Sequence, residues 1–532
     1  MGVHANNQCR SVQFRRVSRI IRNQSTVTAP RGSRLLNTEF KTLMRFLIGL
    51  LALAFAQTAT ADEKLPPNIL FLVTDDCNCD LSCYGHSLVR TPSLDRLAKR
   101  GVRFTHAYAQ YPVCNPSRSS FLTSLYPDQT GVLNNAGNFR KQHPNVVTMP
   151  QMFRNHGYTA IRIGKLYHYA VPNQIGTDGE DDLASWDIRF NPRGIDREVH
   201  EQIHSIRPDA PIESRFGGTL SWLKVDQESE EHTDGVAATE AIRIMKELHP
   251  ERTKRPFFLA VGFYRPHTPY VAPARLFDLY PLDQIIPELE IPTDRDDIPL
   301  AALHDRPGQR ELTVAQRKDI IQAYYASVSL MDEQLGRVTQ ALTDLNLSDN
   351  TIVVFISDHG YHLGAHGLWQ KSDLFEGSCR VPMIVSAPGV SQNGRTATGP
   401  VELLDLYPTL AELAGVTPPD HLKGTSLVPM LKDPTASAKP GALSVTVSRA
   451  RQMHKEFTKS RVMGYSIRTE RYRYTEWGNG VWGKELYDYE TDPKELTNLA
   501  KKPEHQKTMA KLKATLDAAK ERAVPGFTRA QQ

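Results

Sequence analysis

One stretch, Val113-Cys114-Asn115-Pro116-Ser117-Arg118, brings a nucleophile, a helix-starting proline and a cation close together. Pro116 and Ser117 suit the first turn of a helix running on through Phe121-Leu122-Thr123-Ser124-Leu125, so Cys114 is expected at its positive end. Such an end favours anions. Taken alone, Cys114 reads equally well as a buried thiol packing as a small hydrophobe. Its company argues for chemistry. Asp75-Asp76 and Asp358-His359 each close an apolar run. Three carboxylates are hard oxygen donors of the kind that hold a calcium ion, and His359 keeps magnesium or another divalent ion open. Asp75-Asp76 by itself would be an ordinary polar cap after a strand.

These groups need a frame that gathers them. Asn68–Thr74 is a continuous apolar run suited to a buried parallel strand. Tyr158–Ile163 reads as a second strand ending at Gly164-Lys165, Pro256–Gly262 as a third leading into Arg265-Pro266-His267, and Thr351–Ser357 as a fourth. Helical patterns lie between them. One opens at Thr91-Pro92-Ser93, Thr233–Leu248 carries Ala238, Ala241, Ile242, Met245 and Leu248 on one side, and 313–344 is a long helical stretch. Val381–Val385 and a helix near Leu403–Leu413 continue the alternation, which predicts an α/β domain with a large mixed, mostly parallel sheet flanked by helices. Ligands bind beyond the carboxyl ends of such strands, where Asp75-Asp76, Lys165, His267 and Asp358-His359 all fall. Residues 170–232 are polar and irregular and read as an inserted surface region. From about Gly441, short alternating runs at Ser444–Val447, Gly464–Arg468 and Tyr472–Thr475 predict a smaller C-terminal antiparallel-sheet α+β subdomain with a helix near 504–520. The expected boundaries are a leader over 1–61, a catalytic domain over 62–440 and the subdomain over 441–525.

The 532 residues exceed a single small core. The formal charge of +5 is unevenly placed: residues 1–61 hold nine Lys/Arg and one acid, +8, which leaves −3 for the rest. A mildly acidic body argues against nucleic-acid binding. Met44-Arg45, the apolar Phe46–Phe55 and Ala59-Thr60-Ala61 form a signal-peptide pattern, with Met44 the expected start and cleavage expected after Ala61. The location implied is secreted or periplasmic, and the apolar run is too short for a stable membrane span. Of six cysteines, Cys77, Cys79 and Cys83 cluster, while Cys379 stands apart. Export permits disulfides, and the cluster has no partner group at zinc-site spacing, so packing or a disulfide is expected there.

Cys114-x-Pro116-Ser117-Arg118 resembles the modification signature of the sulfatases, in which a dedicated enzyme oxidises the cysteine to formylglycine. From about Asn68 to Asn498 the chain is similar to the type I sulfatases of the alkaline-phosphatase-like fold, and more narrowly to their iduronate 2-sulfatase branch. Val261-Gly262-Phe263-Tyr264-Arg265-Pro266-His267-Thr268-Pro269, Gly164-Lys165-Leu166-Tyr167-His168, Ser357-Asp358-His359-Gly360 and Leu363-Gly364-x-His366-Gly367-x-Trp369-x-Lys371 carry the narrower likeness. His168 lies three residues after Lys165, where aryl- and N-acetylgalactosamine sulfatases usually place it at two. The resemblance implies one divalent ion, Ca2+ or Mg2+, held by Asp75, Asp76, Asp358 and His359 with the modified Cys114. It implies that hydrated formylglycine attacks sulfur, that Arg118 and Lys165 neutralise charge on it, and that Lys371 holds a sulfate oxygen. His267 would protonate or orient the leaving sugar oxygen and His168 would help remove the second diol proton, roles that could be exchanged. Trp477 and His366 could line the sugar pocket or pack in the core.

The expected activity is that of a sulfuric ester hydrolase acting on a sulfated saccharide, with exo-action on 2-O-sulfated uronic acid favoured. A formylglycine-generating maturation enzyme is an implied partner. The alternatives are a phosphonate or phosphate-ester hydrolase on the same fold and a sulfated-glycan-binding protein without catalysis.

Overall fold

The computed structural model describes residues 66–211, 216–249, 254–450 and 461–527, so the leader and its cleavage site lie outside the described residues. Among the described residues no helix is long and apolar enough to cross a membrane.

The apolar run at Asn68 forms β1 (Asn68–Asp75), buried at every position. Then come α1 (Pro92–Arg100), β2 (Val102–Tyr108), α2 (Cys114–Thr123), β3 (Thr159–Gly164) and β4 (Ile188–Phe190). Next are α3 (Thr233–Glu247), β5 (Phe257–Pro266), α4 (Val314–Asp344), β6 (Thr351–Ser357), β7 (Arg380–Ser386), β8 (Arg395–Ala397), β9 (Val401–Glu402) and α5 (Leu406–Ala414). Among the described residues the strands build one sheet in the order β8-β2-β7-β6-β1-β5-β3-β4, with β9 also on β2. All its pairings are parallel except those of β7, which runs antiparallel to β2 and β6. Between β6 and β7 the chain makes a small ladder, His362–Leu363 on Trp369–Gln370, and a one-turn helix, Glu376–Cys379, with no long helix to cross the sheet, and an antiparallel return needs none.

Successive residues of β1 serve two cores, as the two-residue period of a strand requires. Ile69, Phe71 and Val73 pack with Phe121 of α2 and Leu410 of α5, while Leu70 and Leu72 pack with Leu94 of α1, Ala241 of α3 and Leu330 of α4. Both faces are therefore covered, which is why the strands read as continuous apolar runs.

Residues 170–232 do more than decorate the surface. β4 extends the main sheet by pairing with β3, and Ser221–Val225 pairs with Tyr270–Pro273 in a separate three-stranded sheet. Buried Asp196 lies 2.9 Å from the Arg265 guanidinium, and Arg265 in turn donates to the His267 carbonyl at 3.0 Å. The region braces the loop that carries His267.

The C-terminal strands β10 (Ala442–Val447), β11 (Met463–Arg468), β12 (Tyr472–Trp477) and β13 (Lys484–Asp488) form an antiparallel sheet, followed by α6 (Gln506–Ala523). Its core is shared with the larger sheet: Leu443, Ile467 and Leu516 cluster with Tyr111, Val113 and Leu404. Trp477 is 1% exposed, donates to Glu485 at 2.7 Å and clusters with Phe375, Val462 and Tyr487, so it packs in a second core and is not a pocket residue. The five cysteines among the described residues are free thiols, so the cluster packs without a disulfide. The buried Cys77 and Cys379 sulfurs donate to the carbonyls of Asn78 and Asp373.

Glu376 ties the two sheets together, accepting from Tyr108 at 2.8 Å and from Tyr489 at 3.0 Å. Burial works to raise its pKa, but Arg468, Arg380 and Arg473 hold it down at about 2. A depressed carboxylate adds stability above its unfolded value near 4.5 and loses it as pH falls towards 2, here up to about 3 kcal/mol. Glu376→Gln is therefore expected to flatten the fall in urea midpoint between pH 4.5 and 2 while lowering the midpoint at pH 7. An acid limb identical to the wild type would remove Glu376 as its source.

Candidate active site

β1 delivers two consecutive carboxylates to one place, although neighbours on a regular strand face opposite ways. The ladder to β5 shifts between Val73 and Asp75, and Asp76 takes a left-handed backbone, φ 65. That conformation is costly for a residue with a Cβ and is typical of functional sites. The Asp76 carbonyl accepts from the Tyr324 hydroxyl of α4 at 2.8 Å, which helps hold the turn. β3 ends at Gly164, φ +72, where a Cβ would meet the Gly262 carbonyl oxygen at 2.2 Å. Glycine here lets β3 and β5 close up and sets Lys165 at the strand end, its N–H on that same oxygen at 2.9 Å.

Cys114 opens α2 and is 1% exposed. Its Sγ lies 3.4 Å from Asp75 Oδ1, 3.4 Å from His359 Nε2 and 3.2 Å from Lys371 Nζ. Burial pushes the thiol up, but Lys371, Lys165 and His359 outweigh it and hold the pKa well below its usual value. One turn along α2, Arg118 is fully buried rather than solvated. Its Nε donates to Asp358 Oδ2 at 2.8 Å, one terminal nitrogen donates to the Leu166 carbonyl at 3.1 Å, and the other lies 3.6 Å from Asp75. Lys165 pairs with Asp75 and Lys371 with Asp76.

Asp358 and His359 follow β6. Burial raises Asp358 to about 7 against the opposing pull of Arg118. His359 donates through Nδ1 to the Gly360 carbonyl at 2.9 Å, turning Nε2 towards Asp76, 3.3 Å away, and Asp358, 3.5 Å away. Burial lowers its pKa, but Asp358 carries it up to about 9; a cation bound at Nε2 displaces that proton. His267 donates through Nδ1 to the Thr268 carbonyl at 2.5 Å, and its Nε2 lies 3.8 Å from Asp76. His168 is 9% exposed, and burial lowers its pKa.

The sequence-derived set, Asp75, Asp76, Cys114, Arg118, Lys165, His168, His267, Asp358, His359 and Lys371, thus converges. Ligand atoms of Asp75, Asp76, Cys114 and His267 lie within 4.8 Å of one another, as do those of Asp75, Cys114, Asp358 and His359. Three buried carboxylates beside an imidazole with Nε2 turned inward suit a hard divalent cation. His366 stands outside this set, paired with Asp294 at 3.0 Å and stacked on Phe375. Three groups that sequence reading missed border the site. Tyr324 is hidden in the apolar pattern of α4, and His304 and Arg306 sit in an irregular loop with no periodicity. His304 donates to the Lys371 carbonyl at 3.2 Å, and Arg306 donates to it at 3.3 Å.

A buried nucleophile, paired cations and a metal-type donor set at the carboxyl ends of this sheet define an ester hydrolase of the alkaline-phosphatase-like class. The model of the Sulfatase family matches residues 67–416, and that of the C-terminal part of N-sulphoglucosamine sulphohydrolase matches 364–522. The chain belongs to the sulfatase family and is a sulfuric ester hydrolase. Iduronate 2-sulfatase of Homo sapiens is 31% identical, the match covering 81% of this chain and 90% of that one. Choline-sulfatase of Rhizobium meliloti is also 31% identical, over 85% of this chain and 86% of that one. The phosphonate monoester hydrolase of Agrobacterium radiobacter shares the fold, with a TM-score of 0.70 at 24% identity over 86% of this chain and 96% of that one.

Proposed function

We propose that this protein is an exo-acting sulfatase that removes 2-O-sulfate from a terminal uronic acid. It uses formylglycine made from Cys114 and a calcium ion held by Asp75, Asp76, Asp358 and His359. The observation that carries this is the placement of Cys114 Sγ at the start of a buried helix, within 3.4 Å of Asp75, His359 and Lys371. The His168 spacing and the likeness to iduronate 2-sulfatase support the uronate.

Hydrated formylglycine supplies a geminal-diol nucleophile and the ion supplies positive charge beside it. Lys371 binds an oxygen of the arriving sulfate. Arg118 and Lys165 fix Asp358 and Asp75 in place and add charge next to position 114. The Thr268 carbonyl keeps the proton on His267 Nδ1, so a second proton taken up at Nε2 is the one passed to the leaving sugar oxygen, the ring returning to its neutral form. His168 accepts the proton whose loss releases sulfate.

The test is sulfate release after co-expression with a maturation enzyme. The panel holds terminal 2-O-sulfated uronates, 6-O-sulfated hexosamines, fucose sulfates, an aryl sulfate and an aryl phosphonate. Selective cleavage of the 2-O-sulfate is expected. Preference for another sugar would discard the uronate, and a faster phosphonate reaction would discard the sulfate-ester preference.

A further inference from the structure

We propose that Arg306 and Arg449 form a second anion-binding position beside the sulfate pocket, and that it receives the carboxylate of the sugar bearing the ester. The assignment rests on the uronate sulfatase reading and names the residues that would recognise that sugar.

Arg306 bridges two sides of the site. One terminal nitrogen donates to the Lys371 carbonyl at 3.3 Å and to Ser372 Oγ at 3.4 Å, while the other donates to the Gly218 carbonyl at 3.2 Å. The next carbonyl, of Thr219, accepts from Thr268 beside His267 at 2.9 Å. The guanidinium therefore lies between the lysine that meets Cys114 and the loop that carries His267. It touches the backbone carbonyl of the residue whose Nζ meets Cys114. Ser448 donates to the Ala301 carbonyl at 2.7 Å and so brings Arg449 against the same loop.

The nearest carboxylates to Arg306 are engaged elsewhere: Asp76 pairs with Lys371 and Asp373 with His362. Asp305, next to Arg306, is taken by Arg295 at 2.7 Å. Arg118, Arg265 and Arg473 each have a buried carboxylate partner, whereas neither Arg306 nor Arg449 has an ion-pair partner among the described residues. Burial, and then Arg449, lower Arg306 to about 10, and burial followed by both arginines lowers His304 to about 3. Crowding two cations with no carboxylate paired to either costs free energy, and a ligand that brings a planar carboxylate to a guanidinium recovers it through paired charge-assisted hydrogen bonds. A second sulfate on the same ring would use the same donors, and the substrates below separate the two.

The experiment compares kcat/KM for matured wild type, Arg306→Gln, Arg449→Gln and Arg306→Lys. The substrates are a terminal 2-O-sulfated uronate, the same saccharide with its carboxyl reduced to an alcohol, a doubly sulfated hexosamine and an aryl sulfate. Reducing the carboxyl is expected to lower the wild-type value about ten- to hundredfold, the scale of one charged hydrogen-bonded contact. In either Gln variant this ratio should shrink towards one, and Arg306→Lys should restore part of it. A wild-type ratio near one, or an unchanged ratio in both Gln variants, overturns the assignment while leaving the uronate reading intact. Preference for the doubly sulfated hexosamine reassigns the position to sulfate and overturns the carboxylate. Aryl sulfate cleavage with no uronate turnover instead fails the substrate reading itself.

Discussion

Cys114→Ala is expected to lower sulfate release by at least about 10⁴-fold, the scale seen when a nucleophile is deleted from a preorganised site. The fold should tolerate it. Cys114 Sγ contacts polar groups, Asp75, His359 and Lys371, and the truncation removes one atom at the end of α2, so its thermal midpoint should stay near that of the wild type. Cys114→Ser makes a sharper contrast. A hydroxyl can attack sulfur once, but it has no second oxygen from which the carbonyl can re-form, so sulfate stays esterified to the side chain. The expected record is a burst of one leaving group per chain, then none, with one sulfo group gained at the substituted side chain by mass spectrometry. Steady turnover by either variant would remove Cys114 as the nucleophile's source.

Removing the divalent ion is expected to abolish turnover as completely, and to lower stability as well. Asp75, Asp76 and Asp358 are all fully buried, and an ion among them offsets the repulsion that their mutual approach creates. Binding to the folded chain alone adds about 2.7 kcal/mol when free calcium stands at 100 times its Kd. Chelator dialysis should thus lower the thermal midpoint, and calcium should restore both midpoint and rate. Elemental analysis should find one ion per chain. Full activity in a chain shown to hold no metal would sink the proposal, and recovery with magnesium alone would replace calcium.

The sheet and the convergence at its carboxyl end were legible in the sequence because strands covered on both faces leave long apolar runs, and each run here stops at a charged or imidazole group. The direction of β7 was not legible, since five apolar residues look alike in either sense and only its pairing with β2 and β6 decides it. Nor was the role of residues 170–232, because the link from Asp196 to Arg265 joins positions about 70 apart and leaves no periodic trace. Arg306 and Arg449 escaped for a related reason. An arginine in a loop is ordinarily a solvated charge, and only partial burial and the lack of an ion-paired carboxylate among the described residues give these two away. Trp477 was ambiguous until its neighbour Glu485 placed the indole inside the C-terminal sheet.

The central place of β1 has a kinetic consequence. Its two neighbours in the sheet are β5 and β6, so the first strand of the sheet cannot complete its ladder until the chain has grown to Ser357. Pairings between such distant segments form slowly. At synthesis rates of 5–20 residues per second, the approximately 240 residues from Cys114 to Ser357 take roughly 10–50 s to appear. Throughout that interval the thiol that ends 1% exposed lies on an unfinished surface, where the maturation enzyme proposed above would reach it. Once β6 docks and Asp358 meets Arg118, the same thiol is sealed. On the proposed maturation of Cys114, the order of strands along the chain would act as a timer, and a faster-folding variant would be expected to leave a larger fraction of chains with cysteine still there.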